Sequence, residues 1–120
     1  MRQKRSASPS LTIASLAGTP LAEMPGGREF AARYEARFKT PVEIYAPYAY
    51  DAAQVLVAAM KRANSVDPAK YLAELAATQM RGVTSMNIAY DEKGDLKDGA
   101  ITLYRVADGE WKTLEIVARR

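Results

Sequence analysis

The apolar positions of this chain change rhythm twice between its ends. Residues 11–16 form a short apolar run of strand length. Residues 17–27 then gather Gly18, Pro20, Pro25, Gly26 and Gly27, which is loop chemistry. Phe30, Tyr34 and Phe38 recur at i, i+4 and i+8, the spacing of one helical face, and Arg28, Glu29, Arg33, Glu35 and Arg37 cover the other sides. Thr40-Pro41 should end that helix. Residues 42–45 (Val-Glu-Ile-Tyr) read as extended, and Pro47 can open the next helix. Between Tyr48 and Ala63 the side chains are small or apolar almost all round, which predicts a helix largely buried.

Beyond the turn at residues 64–66, Asp67-Pro68 reads as an N-cap followed by proline at the first helical position. Tyr71, Leu72, Leu75 and Ala76 should face inward on this third helix, with Gly82 stopping it. The remainder alternates like strands at residues 86–90, 100–106 and 110–118. Asp108-Gly109 between the last two predicts a tight hairpin. The order is strand, three helices, then strands, which makes the chain α/β or α+β.

Composition adds mainly exclusions. At 120 residues, 48% hydrophobic and 26% charged, the chain is one ordinary globular domain without a membrane-length apolar run. It has neither cysteine nor histidine, so disulfides, thiol nucleophiles, Ser–His–Asp chemistry and His- or Cys-ligated metals are excluded. The net charge of +3 invites a nucleic-acid reading. However, Arg2, Lys4 and Arg5 supply all of it from residues 1–10, and the other 110 residues hold 14 charges of each sign. We expect a basic disordered tail over residues 1–10, one domain over residues 11–120, and no nucleic-acid partner. An export signal would start with this same tail, but Thr12 and Ser15 interrupt the apolar stretch behind it.

Phosphate loops fail on their chemistry: Gly94 and Gly99 have the P-loop spacing, but Ala100 and Ile101 stand where lysine and a hydroxyl are needed. Asp91, Asp95 and Asp98 lack EF-hand spacing and read as turn aspartates bonding local backbone. Lone acids such as Glu23, Glu43 and Glu110 define no acid–base pair. Neither an enzyme nor a cofactor or metal is expected. Tyr45, Tyr48 and Tyr50 bracket the predicted strand-to-helix junction, where α/β sheets bind small ligands. The plainer alternative is that these rings cap the core around a helix N-terminus. Asp51, taken to lie in the first helical turn, would then simply favour the positive end of the helix dipole.

Several segments in order resemble one family. They are Thr19-Pro20-Leu21-Ala22-Glu23-Met24-Pro25-Gly26-Gly27 leading into Phe30-Ala31-Ala32-Arg33-Tyr34, then Tyr45-Ala46-Pro47-Tyr48-Ala49-Tyr50-Asp51-Ala52 continuing to Met60-Lys61-Arg62-Ala63-Asn64, Asp67-Pro68-Ala69-Lys70-Tyr71-Leu72, Gly82-Val83-Thr84, Tyr90-Asp91-Glu92-Lys93-Gly94-Asp95-Leu96-Lys97 and Gly99-Ala100-Ile101-Thr102-Leu103-Tyr104. Together they resemble the C-terminal part of the periplasmic branched-chain amino-acid (leucine/isoleucine/valine) binding proteins of ABC transporters, type I. One departure is Ser85-Met86-Asn87-Ile88, where that family usually has Gly-Pro and an apolar residue.

The resemblance implies an incomplete type I periplasmic-binding fold: part of one lobe plus crossover strands, about the last third of a two-lobed receptor. It implies a solute-binding component that contributes one wall of an inter-lobe amino-acid site, with periplasmic localisation. Tyr50 matches a family tyrosine at the cleft; Tyr48 and Asp51 are its neighbours and complete the candidate ligand-binding set. The implied partners are an aliphatic amino acid, bound weakly or not at all, and a membrane permease of the ABC transporter. Strands that would pair with an absent N-terminal part should leave open edges, so a homo-oligomer completed by exchange of the C-terminal hairpin is expected. The alternative reading is a truncated, non-binding remnant that persists as a self-associating structural protein, with the cytoplasm as its alternative location.

Overall fold

The computed structural model describes residues 12–118; the tail expected over residues 1–10 lies outside them. In chain order the elements are β1 (Ile13–Ala17), a 3-10 turn (Leu21–Glu23), α1 (Gly27–Phe38), α2 (Ala46–Ala63) and α3 (Pro68–Ala76). There follow β2 (Gln79–Met80), β3 (Ile88–Ala89), β4 (Ala100–Ala107) and β5 (Glu110–Ala118). Strands β1, β4 and β5 form one antiparallel sheet in the order β1-β4-β5, and β2 with β3 forms a separate antiparallel ribbon. The class is mixed α/β in the expected order.

Local chemistry explains most boundaries. Helix α1 ends at Lys39, whose φ of 58° is left-handed, just before Thr40-Pro41, where a proline bars helical geometry to its predecessor. Helix α2 carries Pro47 in its first turn and ends at Asn64, also left-handed at φ 49°. The Asp67 side chain accepts a hydrogen bond from the Ala69 N–H at 3.0 Å, so the predicted cap of α3 is in place. Asp108 and Gly109 have φ of 56° and 77°, joining Ala107 to Glu110 across a two-residue turn whose backbone hand matches strand twist.

Four expectations need correction. Residues 42–45 are not a strand: they run irregularly into a turn, because no neighbouring strand offers them a ladder. Helix α2 is buried along one stripe only, Pro47, Asp51, Val55 and Ala59, while Val57 stands half exposed on another side. On α3, Tyr71 and Leu75 are partly covered but Leu72 and Ala76 are exposed, and the helix stops at Ala76 rather than at Gly82. The strand expected at residues 86–90 shrinks to β3, with Tyr90 making one bridge to Leu96.

Two small packing centres hold the molecule. In the first, Val55 and Ala59 of α2 and Ile88 and Ala89 of β3 are all buried, and Val55 and Ile88 line one cavity. Arg62 secures the far end of α2: its guanidinium donates to the Glu74 carboxylate at 3.2 Å and to the Glu74 carbonyl at 2.7 Å. The second joins the sheet to α2. The Thr102 hydroxyl, fully buried on β4, donates to the Gly18 carbonyl at 2.7 Å, and the Thr19 N–H donates to the Tyr48 phenol oxygen at 3.1 Å. Gly18 has φ of 90°, and a Cβ there would collide with the Tyr48 hydroxyl.

Gly18→Ala should therefore destabilise the chain by about 2–4 kcal/mol, from backbone strain and overpacking together. Tyr48→Phe, which removes one hydrogen bond and keeps the ring, should cost about 1 kcal/mol. Urea denaturation of the two variants beside the parent checks both values.

Candidate functional site

The three residues singled out from the sequence all lie in the first half of α2, and the structure gives them three different surroundings. Successive side chains on a helix are turned about 100° apart, so Tyr48, Tyr50 and Asp51 cannot share one direction. Because residues 42–45 are not a strand, the junction is a turn-to-helix junction, and the strand-end argument for a ligand there does not apply.

Tyr48 points to the sheet. Its ring separates a cavity of about 240 Å³, walled by Leu16, Pro20, Met24, Ile44 and Tyr104, from one of about 200 Å³ beside Thr84, Ile88 and Leu96. Burial pushes its phenol pKa up, and the hydrogen bond from Thr19 partly offsets that effect. These contacts fit the core-capping reading of the ring.

Tyr50 points the other way, into an open groove of about 770 Å³ between α1, α2 and residues 80–83. Its ring is 41% exposed and meets the Phe30 ring at 5.4 Å between centroids, tilted by 59°. Phe30 continues into an aromatic ladder along α1, with Tyr34 at 5.8 Å from it and Phe38 a further 4.7 Å on. Arg33, Arg37 and Arg81 stand on the groove wall; Arg33 is 3.8 Å from Glu29, and the Arg37 guanidinium lies 5.6 Å from the Phe38 ring centroid. The groove thus offers apolar rings to a hydrocarbon side chain and guanidinium groups to a carboxylate.

Asp51 is buried, with only 5% of its surface exposed. It sits in the second turn of α2, not the first, so the dipole argument for it gives way to a tertiary one. One carboxylate oxygen accepts from the Val83 N–H at 2.8 Å. The other accepts from the Thr84 N–H at 2.8 Å and from the Thr84 hydroxyl at 2.6 Å. A carboxylate receiving three donors is well compensated for burial. The close approach also needs Gly82, where a Cβ would lie 2.5 Å from an Asp51 oxygen.

The structure therefore brings Tyr50 and Asp51 to one groove, where Asp51 forms part of its floor; Asp51 also lines the cavity of about 200 Å³ beside Tyr48, while Tyr48 and Tyr50 share neither. Sequence reasoning did not pick out Phe30, Arg81 or Val83 as sharing the groove with Tyr50, nor Thr84 as a partner of Asp51. Phe30 carried a signal in its aromatic spacing; Gly82-Val83-Thr84 carried a family resemblance but no sign of what they bond, because they lie more than thirty positions from Tyr50 and Asp51. Asp91 acts as expected of a turn aspartate, accepting from the backbone N–H groups of Lys93 and Asp95. Among the described residues no group of acidic side chains could hold a metal ion, and no helix is long and apolar enough to cross a membrane.

Comparison with known proteins adds identity of a different kind. The family model described as periplasmic binding protein matches residues 6–110. The leucine-, isoleucine-, valine-, threonine-, and alanine-binding protein of Pseudomonas aeruginosa is 31% identical over 80 residues, which is 67% of this chain and 21% of that protein. The leucine binding protein LivK of Thermotoga maritima superposes with a TM-score of 0.72 at 20% identity, covering 93% of this chain and 32% of that one. An ABC transporter substrate-binding protein of Desulfitobacterium hafniense, solved in complex with Leu, gives 0.65 at 21% identity, covering 85% and 30%. The chain thus spans about a fifth to a third of the proteins it matches, and its fold is that part of the type I periplasmic-binding fold.

One consequence of Tyr48 burial is testable. A phenol whose folded pKa lies above its unfolded value of about 10 contributes stability below that value and loses it as pH rises through the folded pKa. The stability difference between the parent and Tyr48→Phe should stay flat from pH 7 to about 10 and then move against the parent. Urea melts across that range would show it.

Proposed function

We propose a function from one premise: this chain belongs to the periplasmic binding protein family. Within that family we assign it to amino-acid uptake, as a solute-binding component of an ABC system rather than an enzyme. It contributes one wall of a site for a branched-chain amino acid, and a membrane permease is the downstream partner. The periplasm is its place of action, as it is for the family.

The observation that carries this reading is the setting of Tyr50. An aromatic ring packed on Phe30 yet 41% exposed faces an open groove, as a contact for an aliphatic side chain requires. In this reading Tyr50 touches the ligand, Tyr48 braces the helix that carries it, and Asp51 holds the groove floor. The named relatives support the ligand class, since one binds leucine, isoleucine and valine among others and another was solved with Leu.

Only one wall is present in the described residues, so affinity should be low, with Kd in the millimolar range. A thermal scan with leucine, isoleucine or valine at tenfold excess over Kd should raise stability by about 1.4 kcal/mol, a shift of several degrees. Tyr50→Ala should abolish the shift, measured against its own ligand-free melt, which loss of the Phe30 contact should lower. A cooperative melt that none of these amino acids moves would overturn the binding reading for this chain.

A second reading has its own observation. Strand β5 is exposed along all nine residues, pairs on one side only with β4, and presents Trp111, Leu114, Ile116 and Val117 to solvent. Such an edge is a template for another strand. We propose that the chain by itself self-associates through this edge. Light scattering should give a mass at least twice that of the chain, and Ile116→Lys should return it to the monomer.

A further inference from the structure

We infer that the Asp51–Thr84 contact is a positioning latch for Tyr50, setting the aperture of the groove from beneath; the inference rests on the reading of Tyr50 as a ligand contact. Val83 is bonded to both helices that wall the groove. Its N–H donates to Asp51 of α2 at 2.8 Å, and its carbonyl accepts from the N–H of Gly26, the residue capping α1, at 2.9 Å. Four residues beyond Gly26, Phe30 meets the Tyr50 ring. Residues 26, 30, 50, 51 and 83 thus close a loop of contacts around one end of the groove.

Within that loop Asp51 fixes how α2 is rotated about its own axis relative to residues 82–84. Tyr50 is the residue before it, so any rotation of α2 that lengthens the bonds to Val83 and Thr84 carries the Tyr50 ring along. The carboxylate resists rotation because its two oxygens are held from different directions: one by Val83, the other by both the backbone and the hydroxyl of Thr84. Gly82 makes room for this, since a side chain there would strike Asp51 and Ile88. Thr84 is the adjustable member: its hydroxyl bond at 2.6 Å is the shortest of the three and depends on a side chain rather than on the fold's backbone.

The test uses the full chain carrying 3-fluorotyrosine, with the Tyr50 fluorine resonance assigned through Tyr50→Phe. That resonance reports the Phe30–Tyr50 geometry through the ring current and needs no ligand. Thr84→Val should shift it and weaken leucine binding by about two- to thirtyfold. Thr84→Ser, which keeps the hydroxyl, should restore both. Thr102→Val is the control: it deletes a second hydrogen-bonded threonine hydroxyl, the fully buried one that donates to Gly18, at a point remote from the groove. It should lower stability and leave both the Tyr50 resonance and leucine affinity in place. The latch is overturned if Thr84→Val leaves the resonance unmoved, if Thr84→Ser fails to restore it, or if Thr102→Val moves it equally. Should the parent chain bind no leucine, the binding reading falls, and the fluorine shift alone still decides whether the latch positions Tyr50.

Discussion

The carboxylate of Asp51 is the contact on which the helical half of this molecule depends. It lies in a water-poor position, where an ionised group is tolerated only if its oxygens are filled, and here three donors from two residues fill them. Those donors come from a segment that has almost no regular structure of its own. Without the carboxylate, two backbone N–H groups at residues 83 and 84 would lose their partner, and Val83, whose carbonyl accepts from Gly26 at the start of α1, would lose its bond to α2. One side chain therefore satisfies a loop, sets the rotation of α2 and holds the floor of the groove.

The sheet half is held by a different device. Thr102, Gly18, Thr19 and Tyr48 make a short chain of hydrogen bonds and close contacts that fastens the end of β1 to α2. The apolar core is thin: among the described residues the buried apolar side chains are Met24, Pro47, Val55, Ala59, Ile88 and Ala89. Larger apolar groups, including Ile101, Trp111 and Val117 on the sheet, remain open to solvent. A sheet whose last strand buries neither face leaves an open edge and open apolar surface, which is why self-association arises as a question for this chain. The proteins it matches are about three times as long as this chain.

What could be read in advance follows the range of the interaction responsible. The helix α1 was legible in Phe30, Tyr34 and Phe38, α3 in its Asp67 cap, and the hairpin in Asp108-Gly109, because each signal lies within a few residues of what it determines. Residues 42–45 misled because an extended-looking apolar segment becomes a strand only beside another strand, and none is there. Leu72 misled for a related reason: it occupies an inward position by spacing, yet no element lies over that side of α3. The bulge at Leu114, where the register between β4 and β5 slips by one residue, had no local mark at all.

By itself the sequence determined the kinds and order of the elements, the absence of thiol and imidazole chemistry, and the family to which its segments point. Those properties are written in composition, in spacing along single elements and in short motifs. Only the tertiary structure decided what the three candidate residues do in space. Tyr48 and Tyr50 are two positions apart and of the same type, yet a turn of about 200° on the helix sends one to the sheet and the other to the groove. Asp51 looked like a helix-end charge; its partners stand 32 and 33 residues away, and no local pattern can name a partner at that distance.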